Sequence, residues 1–296
     1  MKFLTLIILT LLLGTSNSSI DPFLVKPFDT DNNYSRRDKA HYVIEGDNEN
    51  KTLLVFIGGS YSNPKHYARI CKHAATIGLD VISLSYRNQV AAAPLGKQDD
   101  PLVFDHYRQE ICFGNPVSDA VEVDELNSIK TRLEKLLTYL TQNHTEANWG
   151  QYLTASNTLQ WDKIVFSGHS QGAGHAAYLG KKEKVRRVVM FSGPNDYSTY
   201  YNQPANWLSE DRKTPIKDYY SLLHVNDNIV PFEHQVANTQ ALGLIKENQL
   251  PFLVGDDEVL KGNALSIDFN GLSAHNVPIG RNPKLPKIWE YMFIGN

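Results

Sequence analysis

Lys163-Ile164-Val165-Phe166-Ser167-Gly168-His169-Ser170-Gln171-Gly172-Ala173-Gly174-His175-Ala176-Ala177-Tyr178-Leu179 runs from an apolar strand through a glycine-rich turn into a helix of small residues. Inside it, Gly168-His169-Ser170-Gln171-Gly172 has the form Gly-x-Ser-x-Gly. With a strand before it and a helix after it, the pentapeptide has the context of a nucleophile elbow. The residue types follow from the geometry. The serine must sit on a sharp, strained turn so that its hydroxyl stands above the sheet edge. Side chains two residues either side would collide there, which calls for Gly168 and Gly172. Gly174, Ala176 and Ala177 are expected to let the helix approach the strand closely. The helix N-terminus then offers backbone donors and a partial positive charge to a developing oxyanion.

Outward from this turn the chain alternates strands and helices. Upstream, His41 to Gly46 reads as an early edge strand, and Leu53 to Ile57 is a continuous apolar run ending at Gly58-Gly59-Ser60. Such runs suit strands buried on both faces of a mostly parallel sheet. Pro64 to Ile77 has helical spacing and stops at Gly78, and Leu79 to Ser85 is the next strand. Tyr86 to Val117, with Pro94, Pro101 and Pro116, reads as a long loop with a functional purpose. Ser118 or Asp119 is expected to cap a helix reaching about Asn143, with Ile129, Leu133, Leu136 and Leu140 on one face. Downstream, Val185 to Phe191 and Tyr219 to Val225 are strands, and a last helix begins near Pro286. The pattern implies one α/β domain from 20 to 296, a central mostly parallel sheet flanked by helices. No repeat or linker divides it.

These segments resemble the α/β-hydrolase superfamily over about Leu53 to Met292, and Gly-His-Ser-Gln-Gly is a frequent elbow among its esterases, lipases and peptidases. The tail segments also resemble a poorly characterised group of secreted bacterial α/β-hydrolases. The resemblance implies Ser170 as nucleophile, then an acid, then a histidine in chain order. Asp227, in Asn226-Asp227-Asn228 after the Tyr219–Val225 strand, has the position of the acid. Asp196, after the preceding strand, is the other candidate. His275 follows in a loop before the last helix and has the position of the base. His169 and His175 read as support or pocket wall, and His224 as structural. The oxyanion donors expected are the amide of Gln171 and that of Ser60 or Tyr61, with Ser60 chosen, although the histidine often found in that first loop is missing here. Two-step acyl transfer on an ester is the implied chemistry. A peptidase of the same fold and a non-catalytic binder on a hydrolase scaffold remain open alternatives.

The segment between the Phe191 and Tyr219 strands is the usual place for a cap, and here it is small. Its Tyr200, Tyr201 and Trp207 either stack on a small-molecule or polymeric ester or pack the excursion onto the domain.

Composition limits the rest. The chain has 296 residues, 29 Lys+Arg and 32 Asp+Glu, for a net charge of −3. That balance provides no electrostatic reason to expect nucleic acid or an anionic membrane as partner. There is no His-Glu-x-x-His, no phosphate loop and no Gly-x-Gly-x-x-Gly, so neither metal nor cofactor is expected. Residues 1–19 read as a signal peptide: Met1-Lys2, an apolar run from Phe3 to Leu13, then small polar residues. The run is too short to span a bilayer, so a secreted or periplasmic protein without stable membrane insertion is expected. In that setting Cys71 and Cys112 are either one disulfide or two separate buried thiols. Asn33-Tyr34-Ser35, Asn50-Lys51-Thr52 and Asn143-His144-Thr145 match the glycosylation pattern, which matters only in a eukaryotic secretory pathway.

Overall fold

The structure is a computed structural model describing residues 20–46, 52–255 and 259–295. The expected signal peptide and the Asn50 acceptor fall outside these residues. The chain begins with β1 (Phe23–Val25), a single helical turn α1 (Pro27–Thr30) and β2 (His41–Ile44). Next come β3 (Leu53–Ile57), α2 (Ala68–Thr76) after a 3₁₀ turn at Pro64–Tyr67, and β4 (Asp80–Leu84). Two helices follow, α3 (Val103–Phe113) and α4 (Ile129–Asn143). β5 (Ile164–His169), α5 (Gln171–Lys182) and β6 (Arg187–Phe191) carry the elbow. The excursion is a small hairpin of β7 (Tyr197–Ser198) and β8 (Gln203–Pro204). β9 (Tyr219–His224), α6 (Phe232–Ala241), β10 (Phe252–Leu253), β11 (Ala264–Ile267) and α7 (Leu285–Ile294) complete the chain.

Nine strands form one sheet in the order β1-β2-β4-β3-β5-β6-β9-β11-β10. The β1–β2 and β2–β4 pairings are antiparallel and the others parallel. Every residue of β3, β4, β5 and β9 is buried, as expected of central strands covered by helices on both faces. The alternation of side chains splits the core into two layers. Leu53, Val55 and Ile57 join one, with α3, α4 and α5 residues, while Leu54 and Phe56 join the other, with α2 and α7.

Three expectations change, and one open alternative is resolved. β2 is not the edge, because β1 pairs outside it. The long loop after β4 contains α3, which begins just after Pro101 and ends at Gly114 in the left-handed region. The following helix starts about ten residues later than the Ser118 or Asp119 cap would place it. Ser128 is its cap, accepting from the Thr131 amide. Finally, Cys71 and Cys112 are separate free thiols, both fully buried. They sit in opposite core layers, so the sheet itself stands between them.

Candidate active site

The elbow forms where β5 runs out and α5 begins. Ser170 has φ 56° and ψ −120°, a conformation that L residues adopt at a cost of about 1–3 kcal/mol. The surroundings hold it there. Ser170 N donates to Phe191 O at 2.9 Å, and Ser170 O accepts from Ala173 N at 3.0 Å. A Cβ on Gly168 would lie 2.2 Å from the Gly172 carbonyl carbon, and one on Gly172 would lie 2.0 Å from Ile57 O. Both glycines are therefore required by close backbone approach.

Gly174 has a different reason from the one the sequence suggests. A Cβ there would lie 2.2 Å from a terminal nitrogen of Arg108. Arg108 comes from α3 and is fully buried. Its guanidinium donates to both oxygens of Asp196, at 2.9 and 2.5 Å, and to Gln171 O at 2.8 Å. Trp207 Nε1 adds a bond to Asp196 Oδ2 at 2.9 Å. Burial opposes the charge on Arg108, but the attraction of Asp196 outweighs it and holds the guanidinium protonated. Asp196 is thus committed to an ion pair that braces the first turn of α5, not to a histidine.

Asp227 is the carboxylate that meets His275. Its Oδ2 lies 2.7 Å from His275 Nδ1 and also accepts from Gln235 Nε2 at 3.0 Å. Its Oδ1 accepts from the Ile229 and Val230 amides at 2.9 and 3.0 Å. Burial alone would raise this carboxyl. The His275 hydrogen bond and charge and the two amides outweigh it, so Asp227 is held below the usual aspartate value. With the carboxylate accepting at Nδ1, the free lone pair of the imidazole is on Nε2.

His275 lies on a short 3₁₀ turn, Ala274–Ile279, where the sequence suggested an open loop. Its backbone is fixed from behind. His275 O accepts from Ser192 Oγ at 2.7 Å and from His169 Nε2 at 3.0 Å. His169 is buried, and burial reinforced by the neighbouring His275 lowers its pKa to about 3. It therefore stays a neutral donor and supports the loop. His175 is fully buried against Tyr86, Tyr107 and Cys112 and is no pocket wall. His224 is structural, with Nε2 on Phe269 O and Nδ1 accepting from Asn226 N.

Ser170 and His275 line the same open cleft of about 950 Å³, together with Ser60 and Gln171. Among the described residues Ser170 Oγ accepts from Asn195 Nδ2 at 3.3 Å and makes no hydrogen bond to His275. Asn195 was not singled out in the sequence. Its buried Oδ1 has no partner among the described residues, so the amide beside Ser170 retains an unused acceptor.

Gln171 and Ser60 both line the cleft. Gln171 is the first residue of α5, where an amide has no partner within the helix. In the loop after β3, Gly59 N donates to Tyr67 Oη, Tyr61 N to Asn88 O and Ser62 N to Gly59 O. Among the described residues that leaves the Ser60 amide unengaged. The Ser60 hydroxyl donates to Gln171 Oε1 at 2.5 Å and ties the two donor segments together.

The aromatic residues of the excursion lie elsewhere. Trp207 is buried and packs edge-on against Tyr178 at 5.3 Å. Tyr200 and Tyr201 are exposed, with Tyr201 Oη on Asp99 Oδ1 at 2.7 Å, and neither lines the cleft. Among the described residues no group of His, Cys, Asp and Glu is arranged to hold a metal, and no helix is long and apolar enough to cross a membrane.

No family model and no curated protein matches the chain. Several similar solved structures are described as hydrolases. An α/β-hydrolase from a Medee basin deep-sea metagenome library is 15% identical, with TM-score 0.39, covering 76% of each chain. Apo Thermogutta terrifontis esterase 2 is 13% identical, with TM-score 0.46, covering 90% of this chain and 91% of its own. An α-β serine hydrolase homologue from Coxiella burnetii is 14% identical, with TM-score 0.43, covering 92% and 95%. The strand order, the antiparallel β2 and the turn between β5 and α5 give this chain the α/β-hydrolase fold.

Proposed function

We propose that the chain is a serine hydrolase that cleaves carboxylic esters through Ser170, His275 and Asp227. The observation that carries this reading is one arrangement. A strained, positive-φ serine at a helix N-terminus shares a cleft with an imidazole whose Nδ1 is held by a buried carboxylate. His275 Nε2 takes the Ser170 proton as Oγ attacks the ester carbonyl. Asp227 keeps the imidazole in the required tautomer and stabilises its charged form. The Gln171 and Ser60 amides receive the oxyanion, where one donor of this kind is worth about 3–4 kcal/mol of barrier. The proton passes to the leaving alcohol as the tetrahedral centre collapses to an acyl-enzyme. Water, activated by the same imidazole, then releases the acid.

Under this reading residues 1–19 export the protein, and the substrate is a small-molecule or polymeric ester with no cofactor involved. The test is turnover of an ester panel and a peptide panel by wild type, Ser170→Ala and His275→Ala. Ester hydrolysis lost in both variants is the expected result. Cleavage of peptides alone would move the activity to a peptidase, and full ester turnover by Ser170→Ala would overturn the reading.

A further inference from the structure

The cleft above Ser170 is lined by both cationic and apolar groups. Lys65 and Arg69 reach it from the helical segment that follows the Ser60 loop, and Arg281 from just beyond the His275 turn. Among the described residues no Asp or Glu lines the cleft. All three cations are exposed, and none is in an ion pair among the described residues. Gathering them here is not a consequence of a basic chain, whose net charge is −3. Apolar groups also line the cleft, among them Tyr61 and Ile229, 64% and 62% exposed, with Ala92 and Val230.

Local rules make the cations more telling. The first turn of α2 contains no acidic residue, and Arg69 lies in it. The helix dipole favours negative charge at such an end and disfavours cations. Here the α2 dipole and the Arg69 side chain both add positive potential at the cleft.

We infer that the substrate is an ester bearing an anionic oxoacid group, held among Lys65, Arg69 and Arg281 while the carbonyl sits over Ser170. The rest of the substrate lies against Tyr61 and Ile229. Arginine suits this task because its planar fork accepts a carboxylate, sulfate or phosphate in two parallel hydrogen bonds. A cleft lined by one sign of charge also raises the encounter rate with an oppositely charged substrate. The inference rests on the proposed ester hydrolysis and adds its substrate class.

The test compares matched esters. The monoester of 4-nitrophenol with glutarate is set against 4-nitrophenyl acetate, and 3-acetoxybenzoate and 3-acetoxyphenyl phosphate against phenyl acetate. The first pair places the anion on the acyl side. The second set places it on the alcohol side and separates carboxylate from phosphate. Wild type is expected to prefer at least one anionic ester by about ten- to hundredfold in kcat/KM, less so at high salt. Lys65→Gln/Arg69→Gln/Arg281→Gln is expected to bring that ratio close to one. A wild-type ratio at or below one for every pair, or a ratio unchanged in the variant, would overturn the inference and leave ester hydrolysis standing. If no ester is turned over, the proposed function fails, and binding decides the inference separately. Monomethyl glutarate should bind Ser170→Ala by calorimetry more tightly than dimethyl glutarate, and the advantage should vanish with the three glutamines. Equal binding of the two esters would overturn it.

Discussion

Replacing Asp196 by Asn tests the division of labour between the two carboxylates of this fold. Asp196 is fully buried beneath the elbow and neutralises Arg108, itself fully buried. Asn keeps the shape but removes the charge. It also turns an NH₂ group toward donors, since both Asp196 oxygens accept from Arg108 and one also from Trp207. Breaking a buried pair on one side costs about 3–5 kcal/mol, because the remaining charge is left uncompensated. For a domain of this size that corresponds to a fall in Tm of roughly 10 °C. The loss stays within the 5–15 kcal/mol of a typical domain, so much of the protein remains folded at low temperature. Urea denaturation and thermal melts measure the stability, and ester turnover per folded molecule measures the chemistry. Asp196→Asn is expected to lose stability while retaining turnover within about tenfold, since Asp196 touches neither His275 nor Ser170. Asp227→Asn is expected to lose about 10⁴-fold in kcat, as when such a histidine takes the wrong tautomer. An Asp196→Asn protein as stable as wild type, or one stable but inactive, would refute the reasoning.

Three other outcomes follow from particular contacts. Gly172→Ala places a methyl group 2.0 Å from Ile57 O, so it should cost more than about 3 kcal/mol and abolish turnover. Gly262→Ala has open space at φ +74° and should cost only about 1–2 kcal/mol, as thermal melts of the pair will show. His41 and His169 are lowered to about 3 by burial, and burial, reinforced by Arg108, puts His175 well below its usual value. Each is neutral when folded and binds a proton when unfolded below about pH 6.5, so stability should fall as pH drops from 6.5 toward 3. The slope is up to about 1.4 kcal/mol per pH unit for each histidine. Depression of Asp227 adds a further loss below its unfolded value of 3.8. A flat stability between pH 7 and 5 would contradict this. Both thiols are buried, and burial pushes each pKa up. Ellman's reagent should therefore find none in the folded protein and two after denaturation, whereas a disulfide would give none in either state.

What could be read from the residues is explained by how local each signal is. Gly168-x-Ser170-x-Gly172 between an apolar strand and a small-residue helix is complete within a few residues, so the elbow needed no tertiary information. The continuous apolar runs of β3, β5 and β9 follow from burial on both faces. Asp227 was approached through its place after a strand, and only the folded chain separates it from Asp196, which Arg108 occupies. Arg108 was missed because the prolines around it suggested a loop. Its helix is nevertheless signalled by Phe104, Tyr107 and Ile111 on one face and by Gly114 as a stop. The short strands β1, β10 and β11 have two to four residues and no distinct periodicity, so pairing alone defines them. The fate of Cys71 and Cys112 depends on which face of the sheet each helix covers, which spacing along the chain does not encode.

The central claim is that Ser170 is an activated nucleophile. Its most direct measurement is intact mass after a fluorophosphonate is added to wild type, Ser170→Ala and His275→Ala. The account predicts one adduct on wild type, none on Ser170→Ala, and labelling slowed by orders of magnitude on His275→Ala. An adduct that persists in Ser170→Ala would contradict it. So would a folded wild type that stays unlabelled while a control hydrolase reacts.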